Sequence, residues 1–570
     1  MAEAEAAFAN ETDRIDRSLQ GVVSLVDLFH NGRLDADQDG KVKRTEVYAA
    51  IPSQSITGDR AAALAVVRQD FTQLRSVDSS DGERRDISSQ DLKQLALFGN
   101  LKAMRMIADG KKLFPALDTN GDTRLERDEI KQAVSKLSDG ASKRALNAML
   151  NDFELVGGAG AKSISSEQIK EYVAKRLGRG DESKVDTVTR TFNERKARLA
   201  EAKHDTFSDR VPSRSVKGDA PKQGIVGDCW LVAATSSLCR KHPGAVEKMI
   251  HDNKNGTLTV KFPYKHEGKF LEATVAKPSD TELALYETTG KYGTYGAILE
   301  KALGSIFEKN PELKGKLTGV ERDRGKGAPV HELLNASARP FAIELLTGEK
   351  AETIDLTQLS NEQLHRILKA SWNSVATCDS DGQWPKRKGQ SAGAIDGRAK
   401  GASGGFNSSF GLVSDTPRRA PEETPGQKPE REPDTTPERE SEKPERESEK
   451  PPEREAEKSP DPAQPSDLIS MFPGLPRPGS VQPGWESIDE DEDGKEDDKG
   501  SAHEFAILHY DEKRGIVTVR NPWGHGELVN RHGKPLDGVD DGKMRLTLTQ
   551  FRRYFTRMSM SEKVIESALK

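Results

Sequence analysis

The chain has 570 residues, with 87 Lys and Arg against 93 Asp and Glu and a net charge of −6. Charged residues make up 32% of it and apolar ones only 34%, so part of the chain is too polar to bury a core. The near balance of charge excludes a general nucleic-acid binder, which needs a basic excess, and no apolar run is long enough to span a membrane.

Three cysteines, Cys229, Cys239 and Cys378, are too few for a disulfide framework. The opening residues MAEAEAAFANETDRID lack the basic stretch and apolar run of a secretory leader. A cytoplasmic protein with reduced thiols is therefore expected.

Residues 1–180 read as helices interrupted by acidic loops. In DADQDGKVKRTE, residues 35–46, oxygen donors fall at the first, third and fifth places as Asp35, Asp37 and Asp39. Lys41 offers its backbone carbonyl at the seventh place, and Glu46 at the twelfth supplies a bidentate carboxylate. Gly40 stands where the loop turns sharply and Val42 at the apolar eighth place, which completes the pattern of an EF-hand calcium loop. Val22, Leu25, Val26 and Phe29 before it, and Val47, Ala50 and Ile51 after it, have helical spacing.

Residues 118–129, DTNGDTRLERDE, repeat the pattern with Asp118, Asn120, Asp122, Arg124 through its carbonyl, and Glu129. Thr123 holds the glycine place, where a left-handed backbone costs about 1 kcal/mol, so weaker calcium binding is expected there. The segments around Ile87 and Ile164 lack the carboxylate set and read as degenerate hands that pair with the two loops without binding. This predicts an all-α EF-hand domain over 1–180, followed by a helical linker at 181–205.

Residues 206–380 mix strand-like and helix-like runs. Within them QGIVGDCWLVAATSSL places Cys229 at the start of a helix, where the dipole and free N–H groups favour thiolate. Asp228 is positioned to cap that helix. Gln223 carries an amide able to donate to an oxyanion beside the Cys229 N–H.

Residues 381–500 are low-complexity and predicted to be disordered. They run from Gly/Ser-rich through PERESEK at 437–443 and 444–450 to the acidic DEDEDGKEDD, and they hold one apolar patch, DLISMFPGLP, at 467–476. The heptads lack apolar seam positions and carry proline, which excludes a coiled coil. Strand alternation returns in HEFAILHYDEKRGIVTVRNPWG. A hairpin turning at DEKRG would set His503 opposite Asn521 on one face, so that Asn521 orients the imidazole while its other nitrogen faces Cys229.

The Gln–Gly…Gly–Asp–Cys–Trp run, the histidine at a strand start and Arg–Asn–Pro–Trp–Gly together resemble the cysteine-protease core of the calpain family. GAILEKAL, LHRILKASWNSVATC and DDGKMRLTLTQFRRYFTRM resemble further segments of that core. The resemblance implies an α+β, papain-like, two-subdomain protease interrupted by the disordered insertion. Residues 206–340 would carry the nucleophile, and 341–380 with 501–570 the His and Asn.

It further implies Cys229 as nucleophile, His503 as base and acid, Asn521 as orienter and Gln223 in the oxyanion hole. Of the family's core calcium positions, Glu300, Glu527 and Asp541 match, whereas Ala220 and Lys543 stand where the family has acids. Trp523 resembles a family tryptophan that can obstruct the site. The function expected is calcium-regulated hydrolysis of protein substrates through a thioester, with self-cleavage in the insertion as a further expectation. The alternatives are a catalytically silent calcium-binding interaction protein and a transglutaminase-like acyl transferase.

Overall fold

A computed structural model describes residues 2–30, 34–78, 86–317, 329–380, 503–528, 535 and 537–570. The insertion expected at 381–500, its patch at 467–476 included, lies outside the described residues. The described residues fall within one compact unit. They are mixed helix and sheet, consistent with a multidomain α+β chain.

The N-terminal region is helical. Its first helix, Ala2–His30, buries Ile15, Leu19, Val22, Leu25 and Val26 at three- and four-residue spacing. Further helices cover Arg44–Ala50, Gly58–Gln69, Ser89–Asp109, Arg127–Lys136, Ala141–Asn151 and Ser166–Arg176. Serines cap two of them: Ser88 accepts from the Asp91 N–H and Ser165 from the Gln168 N–H, each in a reciprocal capping box. Two short antiparallel ribbons cross-link the loops. Val42 stands opposite Ile87 and Leu125 opposite Ile164, and all four side chains are buried.

The segment 181–205, expected as a helical linker, is helical as far as Glu201 but not free. The helix Arg179–Glu201 buries Val185, Val188 and Phe192 in the same cluster as the first helix. An apolar stripe on one face commits it to that core, and only its last turns reach past it.

The region expected to carry the nucleophile combines the helices Cys229–Lys241, Pro243–Met249 and Tyr295–Lys309 with a three-stranded antiparallel sheet, Ile250–Asp252, Thr257–His266 and Lys269–Ala276. The helix Arg339–Thr347 packs here too, through Phe341, Ala342, Ile343, Leu345 and Leu346. The division expected at 340/341 therefore falls one helix later, because this apolar face has its partners in the first core.

The remaining strands form a six-stranded antiparallel sheet. Its order is Lys543–Thr547, Ile516–Arg520, Glu504–Asp511, Ala376–Asp379, Arg557–Ser561 and Ala351–Asp355. Helices Asn361–Ala370, Leu548–Tyr554 and Glu562–Leu569 share its core.

The helical region docks on the nucleophile region. Tyr48, Ile51 and Ala65 join the nucleophile region's apolar cluster. The Ser279 hydroxyl donates to the Ile51 carbonyl at 2.6 Å, the Gly58 N–H to Asp280 Oδ2 at 2.9 Å, and Arg68 Nε to Glu332 Oε1 at 2.6 Å. Among the described residues, no helix is long and apolar enough to cross a membrane.

Candidate active site

Cys229 is the first residue of its helix, whose backbone begins with Leu231 N–H donating to the Asp228 carbonyl at 2.8 Å. The Asp228 side chain does not cap the helix, contrary to expectation. It is fully buried and faces Glu300 and Glu287; burial, then those charges, push its carboxyl well above the usual range. The run of apolar residues after Cys229 drives that helix end inward and carries Asp228 with it.

The hairpin forms around residues 512–515, but in a different register from that expected. Ala506 pairs with Arg520 and Ile507 with Val519, and a bulge follows between Ile507 and His509. Continuing this ladder outward sets Trp523, not Asn521, opposite His503. The turn centres between residues 513 and 514 rather than on 512, which is why symmetry about the expected turn misplaced the partner; the bulge recovers one residue of that offset. Asn521 instead reaches His503 diagonally, a separation long side chains span.

That contact is direct: His503 Nε2 lies 2.9 Å from Asn521 Oδ1. The same oxygen accepts from the Trp523 N–H at 3.0 Å, and the Asn521 amide nitrogen donates to the Gly526 carbonyl at 3.4 Å. An oxygen already accepting from a backbone donor must accept from the imidazole as well. His503 in its neutral form therefore carries its proton on Nε2 and leaves Nδ1 as the basic nitrogen.

The Cys229 sulfur faces the backbone N–H of Glu504, the residue after His503. Gln223 joins the same place through its backbone, its N–H donating to the Pro522 carbonyl at 2.9 Å. One amide hydrogen of Gln223 is committed to the Val226 carbonyl at 2.5 Å. The four residues singled out in the sequence are thus drawn together from both ends of the described core.

Cys229 is itself half-buried, yet its surroundings shift both it and His503 toward their neutral forms. Burial pushes the Cys229 thiol up to about 12; the Glu504 N–H opposes this and the charges of Glu504, Asp228 and Asp379 add to it. The dipole argument from the sequence expected the opposite direction, and enclosure outweighs it. Burial lowers His503 to about 4, against the Asn521 hydrogen bond. Trp523 stacks on the imidazole, with ring centroids 4.0 Å apart and planes at 28°. His503 is only 6% exposed, which leaves a neutral thiol beside a neutral imidazole.

Residues given no role in the sequence reading organise this site. Arg520, fully buried, donates from Nη1 to the Pro221 carbonyl at 2.6 Å and from Nη2 to the Asp219 carbonyl at 2.8 Å. Glu504 and Asp379 are bridged by Arg339, at 3.3 and 2.7 Å. Burial raises Glu504 to about 7.

In the two acidic loops the first and twelfth residues gather backbone N–H groups. Asp35 accepts from the Asp39 N–H at 3.1 Å and the Gly40 N–H at 2.9 Å; Asp118 accepts from the Asp122 N–H at 3.1 Å and the Thr123 N–H at 2.7 Å. Glu46 Oε1 accepts from the Ala36 N–H at 2.7 Å, and Glu129 Oε1 from the Thr119 N–H at 2.7 Å. Carboxylate oxygens of Asp35, Asp37 and Asp39 lie within 4.8 Å of one another. Lys41 and Arg124 each stand at the seventh place, with N–H groups donating to Asp39 Oδ1 and Asp122 Oδ1 at 2.9 and 2.8 Å. Thr123 does adopt the left-handed backbone, at φ +65°, where Gly40 has φ +80°.

In the core, carboxylates of Glu527, Asp537 and Asp541 also cluster within 4.8 Å. Lys543 lies against this group, 2.9 Å from Asp541 and 3.1 Å from Asp219. Glu300 stands apart from it. It is fully buried, accepts from the Glu287 N–H at 2.7 Å and lies 3.4 Å from His331 Nδ1.

Compared with models of known protein families the chain matches none, and no significant match to it is found among curated proteins.

Proposed function

We propose that the chain is a calcium-regulated cysteine endopeptidase of the calpain kind, with a papain-like core and an N-terminal EF-hand domain. The observation that carries this reading is the 2.9 Å His503–Asn521 hydrogen bond beside a cysteine that opens a helix. Nucleophile, base and orienter are the set that thiol acyl transfer requires.

His503 Nδ1 takes the thiol proton as Sγ attacks the scissile carbonyl carbon, and the displaced pair resides on oxygen as an oxyanion. The Cys229 N–H and the second amide hydrogen of Gln223 are the donors for it. Collapse breaks the C–N bond, the imidazolium protonates the leaving amine, and a thioester remains. Water, deprotonated by His503, then releases the acid and restores the thiol. Protein chains are the substrates.

The donor set of the loops, carboxylates and carbonyls, suits a hard cation. Asp35, Asp37, Asp39, Lys41 and Glu46, and Asp118, Asn120, Asp122, Arg124 and Glu129, are the residues that would hold calcium. Bound there, calcium supplies a divalent charge that neutralises clustered carboxylates.

Casein hydrolysis by the purified chain, with calcium and with chelator, beside Cys229→Ala, tests the reading. Activity that requires both calcium and Cys229 is expected; calcium-independent activity would remove the loops from control. A second reading, a silent calcium-binding interaction protein, draws support from the buried His503 and the raised thiol. Absence of Cys229-dependent hydrolysis in either condition would select it.

A further inference from the structure

The last turns of the Arg179–Glu201 helix leave the helical core and enter the nucleophile region. Arg195 donates from Nη1 to the Ala284 carbonyl at 3.2 Å and from Nε to Gln69 Oε1 at 2.8 Å. One turn later, Arg198 donates from Nη1 to the Gln223 carbonyl at 3.1 Å and from Nη2 to the Tyr286 carbonyl.

The strap bearing Gln223 is held from several sides. Arg520 grips the carbonyls of Asp219 and Pro221. Lys222 exchanges backbone hydrogen bonds with Thr288 at 2.8 and 2.9 Å, and the Ile225 N–H donates to the Leu285 carbonyl at 2.9 Å. At Gly224 a side chain is excluded, since a Cβ would lie 2.2 Å from the Leu285 oxygen. All of these grips come from the core itself. Arg198 belongs to the N-terminal helical region, and it takes hold of Gln223.

We infer that Arg198 is a positioning residue for Gln223, through which the helical region sets the aim of the oxyanion donor. The inference rests on the proposed protease reading. Two carbonyls on separate segments, Gln223 and Tyr286, are spanned by the fixed fork of the guanidinium, whereas an ammonium's donors radiate from one atom on a flexible stem and fix no such geometry. Enclosure fits this role: the Arg198 Nε is buried, and burial beside Arg195 brings the group down to about 9. A guanidinium taken so far out of water is held by the carbonyls it serves and by the charges of Glu300, Glu201 and Glu287.

The test compares Arg198→Lys with Arg195→Lys, which loosens the same docking without touching Gln223, and with Gln223→Ala. Four quantities are read: kcat, KM, inhibition by a peptide aldehyde, and Cys229 alkylation by iodoacetamide. The aldehyde adduct places an oxyanion in the hole; alkylation does not.

Loss of an oxyanion donor costs roughly 100- to 1000-fold in kcat, so its misplacement in Arg198→Lys should cost roughly 10- to 100-fold. KM and alkylation should stay within about twofold, while aldehyde affinity falls with kcat. In the Gln223→Ala background the Arg198 change should have no further effect. Equal losses in Arg195→Lys and Arg198→Lys, or additive losses with Gln223→Ala, would overturn the inference and leave the protease standing. Wild-type chain without Cys229-dependent turnover would remove both. Melting temperatures of all variants separate misfolding from misplacement.

Discussion

The loops 35–46 and 118–129 share one hydrogen-bond skeleton and differ in what balances their charge. In both, the first aspartate gathers loop N–H groups and the last glutamate folds back over the entrance. In the first, the Lys43 ammonium lies on Asp37 and, at 2.7 Å, on Asp39. The matching place in the second is Glu126, and the loop's two guanidiniums turn away, Arg124 to Ser163 Oγ at 2.6 Å and Gln168 at 3.0 Å, and Arg127 to the Leu150 carbonyl at 3.2 Å. The loop with the better sequence pattern thus carries its own counter-ion, and the loop with the strained Thr123 does not. Pattern and electrostatics rank the two sites in opposite orders.

Their surroundings differ as well. The first loop leads through Arg44–Ala50 to Ile51, whose carbonyl accepts from Ser279 of the nucleophile region. The second leads into Arg127–Lys136, which packs on Ala141–Asn151 inside the helical core. Control of the thiol should follow the first loop.

Alkylation of Cys229 offers the largest signal. A thiol raised from 9.0 to about 12 has its thiolate population at pH 7 cut about a thousandfold. Since the group is raised, reactivity in chelator should climb with pH and show no plateau below about 11. His503, held near 4, should leave no inflection between pH 5 and 8. Calcium should raise the pH 7 rate by up to the same factor, roughly a thousandfold, if control opens the site. Glu46→Gln should abolish that rise and Glu129→Gln should preserve most of it; the reverse pattern would break the comparison.

Calcium titration of those two variants by calorimetry comes next. Each should lose one site, with affinity there falling roughly 100-fold, because the twelfth-place carboxylate contributes two oxygens. Lys43→Met should tighten the first site roughly tenfold at low salt and less at high salt, as expected when a screened ammonium no longer competes. Unchanged affinity would mean the ammonium leaves without cost. The smallest effect is that of Thr123→Gly. Relief of the left-handed backbone should stabilise the helical region by about 1 kcal/mol, visible as a melting shift of a few degrees.

What the sequence disclosed was set by local spacing. The donors in each loop, the eighth-place Val42 and Leu125, and the helix starting at Cys229 all lie within a dozen residues of what defines them. The bulge that redirects Asn521 toward His503 is a choice between near-equal pairings, made by the packing of both faces. Arg520 on Asp219 and Arg198 on Tyr286 join residues far apart in the chain, and an arginine bound for a buried carbonyl reads like any surface arginine. The raised thiol was hidden for a related reason. A helix start announces its dipole in sequence, but enclosure by Glu504 and its neighbours exists only once the sheet has formed.

The strands Ala376–Asp379 and Glu504–Asp511 are ladder neighbours, with Asp379 opposite Glu504 and the Ser380 N–H donating to the His503 carbonyl at 3.0 Å. Arg339 fastens the two sides of that seam together at this pair. Chain continuity between Ser380 and His503 is therefore not what holds the imidazole beside Asn521. New termini could be opened there, or a turn of hairpin length spliced in, with the ladder itself keeping the register. In engineering terms this seam is a natural cut point for a circular permutant or a two-fragment reconstitution.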